Sequence, residues 1–257
     1  MIRAAFFDVD GTLLSHTQQA VPQSARIALE QLAQKGIKRV VATGRHMLEL
    51  AQLPIADVAF DAYITLNGQL CLDGSGNILS EAPIDGADKE EIQKLFREKK
   101  IPVMLVEKED LYINFVNQRV KDAQDAISTP VPPVGEYGSA PIYMAVAFIG
   151  KEEEKELAAR LPGCAITRWN DWAVDVISSS GGKTIGIEKY LQQSNISREQ
   201  TIAFGDGEND MGMLRYAGIG VAMGNADDRV KASADHIAPS VDEDGIMEAL
   251  KRLRILP

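Results

Sequence analysis

Asp8 and Asp10 stand one residue apart, immediately before a glycine, in the segment Phe6-Phe7-Asp8-Val9-Asp10-Gly11-Thr12. Two close carboxylates repel and raise each other's proton affinity unless a cation sits between them. The pair therefore predicts either a metal site or an acid/base couple. A second acidic segment, Gly205-Asp206-Gly207-Glu208-Asn209-Asp210, closes a later apolar run, and Thr43-Gly44-Arg45-His46 closes another. Lys183, preceded by Gly182, opens a helical stretch. Together these segments supply four carboxylates (Asp8, Asp10, Asp206, Asp210), one ammonium and one hydroxyl. Hard oxygen donors, few in number, suit Mg²⁺ that retains part of its water. Such an ion and the lysine offset the acidic groups enough to admit a phosphate dianion. Taken singly, each segment is ordinary. Asp-x-Asp-Gly ends many solvated strands, and Thr43 serves as well as a helix cap. Lys183 could be a solvated lysine, although a cation at a helix N-terminus calls for a nearby anion.

These groups act together only if separate elements bring them to one place. Ala4 to Phe7 is an apolar run too short for a helix and predicts a buried strand ending at Asp8. Val21 to Lys35 places Ala25, Ala28, Leu29 and Leu32 on one helical stripe, with Gly36 at its end. Ile37 to Ala42 predicts a second strand, Met47 to Leu53 a helix, and Tyr63 to Leu66 a third strand ending at Asn67-Gly68. Strand–helix–strand with short connections implies a parallel sheet. Ligands of such sheets collect beyond the carboxyl ends of the strands, where every segment above would lie. Gln69 to Leu72 and Ile78 to Glu81 flank Asp73-Gly74-Ser75-Gly76-Asn77, a hairpin.

From Pro83 the pattern changes. Charged helices (Asp88 to Lys100, Asn117 to Ile127, Glu152 to Leu161) alternate with strands expected to bury one face, among them Ile142 to Phe148. Two further strands flank Trp169-Asn170-Asp171-Trp172. After Ser178-Ser179-Ser180-Gly181-Gly182 the α/β pattern returns, with Thr201 to Phe204 and Gly218 to Val221 as strands. The expected architecture is an α/β chain: a Rossmann-like core with a parallel sheet, made of 1–82 and 180–257, plus an inserted α+β domain over 83–179.

Composition narrows the function classes. The 257 residues are 45% hydrophobic and 25% charged, as in ordinary globular proteins. A formal net charge of −10 argues against nucleic acid or an anionic membrane surface as the main partner. The two cysteines, Cys71 and Cys164, lie in apolar stretches, as expected of buried thiols in a reducing compartment. Three scattered histidines provide no zinc-ligand spacing. With no leader and no apolar run near the ~18 residues of a membrane span, a cytoplasmic location is expected.

The four segments, in this order and over the whole chain, resemble the haloacid dehalogenase superfamily of phosphatases. The insert resembles the type IIB cap of the Cof-like subgroup. Asn67-Gly68 and Val221-Ala222-Met223-Gly224-Asn225-Ala226 are similar to that subgroup as well. One departure is Thr184 after Lys183, where the subgroup usually has glycine. The resemblance implies a Mg²⁺-dependent hydrolase of small phosphomonoesters, sugar phosphates first, working through an aspartyl-phosphate. It implies Asp8 as nucleophile and Asp10 as proton donor and acceptor. Mg²⁺ would lie on Asp8, the backbone carbonyl of Asp10, and Asp206. Asp210, with Asn209 beside it, would hold metal-bound water or Lys183. Thr43, Lys183 and the amides around Gly11 would stabilise the phosphoryl oxygens. Gly44, Arg45, His46 and Asn67 from the core, and Asn170 and Asp171 from the insert, are the candidate substrate contacts. Phosphatases of cofactor phosphates such as flavin mononucleotide or pyridoxal phosphate, and a non-enzymatic receiver-like phosphate sensor, are the alternatives. A nucleotide-kinase phosphate loop at Gly182-Lys183-Thr184 is excluded, since Ile177 stands where its first glycine is needed.

Overall fold

The computed structural model describes residues 1–127 and 129–257. The chain divides into two units, Met1–Glu81 with Lys183–Pro257, and Ala82–Gly182.

The first unit begins with β1 (Ala4–Phe7), α1 (Gln23–Gln34), β2 (Lys38–Ala42), α2 (Met47–Leu50), β3 (Ala62–Thr65), β4 (Leu70–Asp73) and β5 (Ile78–Glu81). Helix α2 stops short of the expected Leu53, because Pro54 disfavours helical backbone at the residue before it. In the second unit follow α3 (Gly86–Glu98), β6 (Val103–Val106), β7 (Leu111–Ile113), α4 (Gln118–Ala126), β8 (Met144–Ala147), α5 (Lys151–Arg160), β9 (Cys164–Asn170) and β10 (Ala173–Ser178). The first unit resumes with α6 (Lys183–Ser194), β11 (Thr201–Gly205), α7 (Met211–Tyr216), β12 (Ile219–Ala222), α8 (Asp228–Lys231), β13 (His236–Ile237) and α9 (Gly245–Arg252).

In the first unit eight strands form one sheet in the order β13-β12-β11-β1-β2-β3-β4-β5. The six from β13 to β3 are parallel, and β4 and β5 turn back antiparallel. The chain runs outward from β1 through β2 and β3, then returns to the other side of β1 as β11, β12 and β13. Order therefore reverses at β1, and a crevice opens there at the carboxyl ends. Register sets what meets in it. Phe7 pairs with Phe204 on one side and Val41 on the other, so Asp8, Gly205 and Ala42 lie level. Strand β1 is buried on both faces. Ala5 and Phe7 pack with α1 and α9, while Ala4 and Phe6 pack with α6 and α7. Phe7 stacks on Phe204 with centroids 5.3 Å apart.

The second unit is a five-stranded sheet, β7-β6-β8-β10-β9, antiparallel throughout. Strand β8 departs from the expected single buried face. Ala145 and Ala147 lie in the layer with α3 and α5, and Met144 and Val146 on the other phase are buried too. The alternation seen in the sequence is of large and small residues, and the small ones let helices approach. Helix α3 ends at Glu98, with Lys99 left-handed (φ 51°) rather than continuing the apolar face. Asn114 is wholly buried and is the polar knot of this unit. Its Oδ1 accepts from Val103 N and Phe115 N, and its Nδ2 donates to Phe96 O and Ile101 O.

Candidate active site

Lys183 begins α6, yet its side chain is buried. Its Nζ donates to Asp8 Oδ1 and to Asp210 Oδ1, each at 2.6 Å. Burial works against the ammonium, and so does the helix N-terminus. The adjacent Asp210 and Asp8 carboxylates outweigh burial and raise the lysine pKa, so it is charged. The Asp210 Oδ2 accepts from the amides of Asp206 and Gly207 at 3.0 and 2.9 Å, which closes the Gly205–Asp210 loop on itself. Asp8, Asp206 and Asp210 each bring an oxygen within 4.8 Å of the others.

Burial, then the charge of Asp210, pushes Asp206 up to about 7. Asp8 is raised well above the usual carboxylate range by burial and by Asp210, with Lys183 opposing. Three carboxylates against one ammonium leave an excess of negative charge in a buried, all-oxygen donor set. That is the chemistry a small hard divalent cation fits.

The Asp10 carboxylate lies outside this trio. It pairs with Arg45, Nε to Oδ2 at 2.7 Å and Nη2 to Oδ1 at 2.8 Å, and His16 Nε2 stands 3.4 Å from Oδ1. Thr43 follows β2, is buried, and accepts from the Arg45 amide on its hydroxyl oxygen, leaving the hydroxyl proton to donate elsewhere. The Gly11 amide donates to Leu14 O and the Thr12 amide to Val9 O, so both serve the turn itself. What Gly11 supplies instead is room. It has φ 73°, and a Cβ there would overlap the Asp206 carboxylate.

Asn67 sits in a left-handed stretch, with φ 52°, 55° and 87° at Leu66, Asn67 and Gly68. Non-glycine residues held there cost of order 1 kcal/mol each and recur at functional sites. This bend lays Asn67 against Gly44, where a Cβ would come within 3.2 Å of its side chain. Asn67 Oδ1 also accepts from Asn209 Nδ2 at 3.0 Å, joining the loops after β3 and β11. His46 is buried and caps α2, its Nδ1 accepting from Leu48 N while Glu49 accepts from His46 N.

Asn170 and Asp171 belong to the second unit, at the β9–β10 tip. Asn170 Oδ1 accepts from Trp172 N, and Arg168 donates to the carbonyls of both residues. Two further residues, Thr12 and Asn225, complete the site around Asp206. Thr12 Oγ1 donates to Asp206 Oδ1 at 2.9 Å. Asn225 Nδ2 donates to Asp206 Oδ2 and to Gly11 O, and its Oδ1 accepts from Val241 N. The signal for Asn225 was present: a Gly-Asn pair just past a core strand.

An open α/β sheet with three clustered carboxylates, a buried lysine and a hydroxyl at its switch point is the architecture of a phosphoryl-transfer enzyme. The chain belongs to the haloacid dehalogenase-like hydrolases, whose family model matches residues 5–250. It is 31% identical to the putative phosphatase YkrA of Bacillus subtilis over 254 residues, covering 98% of this chain and 97% of that one. Its structure is similar to that of BT1666, a phosphatase of the superfamily from Bacteroides thetaiotaomicron, with a TM-score of 0.91, 33% identity, and coverage of 100% and 96%. It is also similar to the subclass IIB sugar phosphatase BT4131, with a TM-score of 0.86, 35% identity, and coverage of 99% and 100%. The chain is accordingly a phosphatase of this family. Among the described residues no helix is long and apolar enough to cross a membrane.

Proposed function

We propose that this phosphatase hydrolyses small phosphomonoesters, sugar phosphates among them, through an aspartyl-phosphate on Asp8. The observation that carries the reading is the buried Lys183 ammonium, 2.6 Å from both Asp8 and Asp210. It holds the Asp8 carboxylate in place and presents positive charge where a phosphoryl group would meet it. Preference for sugar phosphates is supported by the 35% identity to the sugar phosphatase BT4131.

In the first half-reaction an Asp8 oxygen bonds to phosphorus, the bond from phosphorus to the leaving oxygen breaks, and Asp10 gives that oxygen its proton. In the second, water attacks phosphorus, Asp10 takes its proton, and Asp8 is freed as phosphate departs. Lys183 and the Thr43 hydroxyl stabilise the phosphoryl oxygens. Asp8, Asp206 and the Asp10 carbonyl would hold Mg²⁺, with Asp210 and Asn209 behind them. The ion would offset carboxylate charge and polarise a phosphoryl oxygen.

The test is phosphate release from a panel of sugar phosphates, cofactor phosphates and an aryl phosphate. EDTA-treated enzyme should be inactive and recover with Mg²⁺ but poorly with Ca²⁺, which prefers more ligands and looser geometry. Asp8→Asn should fold as wild type and lose at least ~10³-fold in kcat. More than a few per cent residual turnover in pure variant would rule out Asp8 as nucleophile.

A further inference from the structure

Arg45 is paired with the Asp10 carboxylate through two hydrogen bonds. Its guanidinium is only 14% exposed and meets Asp10 as a two-pronged fork. The arginine is itself framed. Its amide donates to Thr43 Oγ1, and its carbonyl accepts from Leu66 N. Glu49 stands 3.9 Å from its Nη1 and is tied in turn to the His46 amide in the first turn of α2. The other carboxylates have different anchors: Asp8 and Asp210 on Lys183, Asp206 on Thr12 and Asn225. Asp10 precedes the left-handed Gly11, and besides Arg45 its Oδ1 has His16 Nε2 at 3.4 Å, from a side chain that is 62% exposed.

We propose that Arg45 is a positioning residue that aims the Asp10 carboxyl for proton transfer at the leaving oxygen. The inference rests on the reading of Asp10 as proton donor. A planar guanidinium bonded to both oxygens fixes the plane of the carboxylate as well as its place, which a point charge does not do. A protonated carboxyl keeps one of the two bonds through its carbonyl oxygen, so the fork can hold the group in both half-reactions. An alkoxide leaving group needs the proton; a nitrophenolate departs without it. An aimed acid therefore matters for alkyl phosphates and little for 4-nitrophenyl phosphate. The ratio kcat/KM counts only steps up to leaving-group departure, so hydrolysis of the phosphoenzyme does not obscure the comparison.

The experiment measures kcat/KM of the full-length Mg²⁺-supplied enzyme on glucose 6-phosphate and 4-nitrophenyl phosphate. It uses wild type, Asp10→Asn, Arg45→Ala, Arg45→Lys and the Asp10→Asn/Arg45→Ala double variant. Far-UV circular dichroism and a wild-type-like melting transition report that a variant is folded, independently of either activity. Asp10→Asn should lose about 10²-fold or more on glucose 6-phosphate and far less on the aryl ester. Arg45→Ala should show the same selective loss at smaller size, Arg45→Lys should recover part of it, and the double variant should fall little below Asp10→Asn alone. Equal loss on both esters in Arg45→Ala, or full additivity in the double variant, overturns the inference and makes Arg45 a phosphate contact or a structural residue. If Asp10→Asn itself shows no dependence on the leaving group, the acid role of Asp10 fails and the inference falls with it. A failure of Asp8→Asn to abolish turnover is a separate result that concerns the nucleophile alone.

Discussion

At the scale of single residues, the site concentrates charge that the fold by itself does not favour. Asp206 is pushed up to about 7 by burial and by Asp210, whereas in an unfolded chain it titrates near the ordinary carboxylate value, ~4. The folded protein thus binds more protons than the unfolded one between these values, and this group's contribution to stability falls as pH rises through that window. In EDTA, Asp206→Asn should therefore stabilise the protein more at pH 8 than at pH 5, read as the difference in melting temperature from wild type. Saturating Mg²⁺ at pH 8 should reverse the order, because only wild type retains the full donor set and gains from binding. A melting-temperature difference independent of both pH and Mg²⁺ would remove Asp206 from the ion's ligands. Thr12 and Asn225, one on each Asp206 oxygen, show that its aim is set from outside its own loop.

At the scale of elements, two devices place the chemistry. One is the parallel register of β1, β2 and β11, which sets Asp8 level with Gly205 and Ala42. The other is a set of loops that lock on one another through Asn67, Asn209 and Asn225. The second unit has a comparable polar lock in Asn114, which binds the end of α3 to the first residue of β6. Asn114→Ala strands the buried Val103 amide and Phe96 carbonyl and the part-buried Phe115 amide and Ile101 carbonyl, for a cost on the order of 3 kcal/mol. Its thermal transition should move to lower temperature, while 4-nitrophenyl phosphate turnover well below that transition stays near wild type. Unchanged melting would mean that the four backbone groups find other partners. The β9–β10 tip is likewise held from within, by Arg168 on two tip carbonyls and by Asn170 on the Trp172 amide.

At the scale of the whole molecule, a phosphatase must accept many leaving groups or choose among them. Asp8, Asp10, Thr43, Lys183, Asp206 and Asp210 all lie in the first unit. We propose that Asn170 and Asp171 of the second unit take part in selecting among leaving groups. Replacing Asn170 and Asp171 together by alanine should change relative kcat/KM among good sugar phosphates and barely alter the aryl phosphate. An equal loss on every substrate would make the tip structural, as its internal hydrogen bonds allow.

What the sequence determined by itself is local and chemical. Ala4 to Phe7 followed by Asp-x-Asp-Gly, the strand ending at Thr43 and the strand ending in Gly-Asp-Gly announce polar loops at the carboxyl edge of a parallel sheet. Hydrophobic periodicity and turn residues are properties of neighbouring positions, so one chain reveals them. The tertiary structure alone decided which of those groups touch. Asp10 turns to Arg45 rather than to the other carboxylates. His46 folds inward as a cap, and Leu66 and Asn67 bend left-handed. Asn225 reaches Gly11 across 214 positions. Such contacts follow from strand order and register across a switch point, and no window of the sequence carries that information.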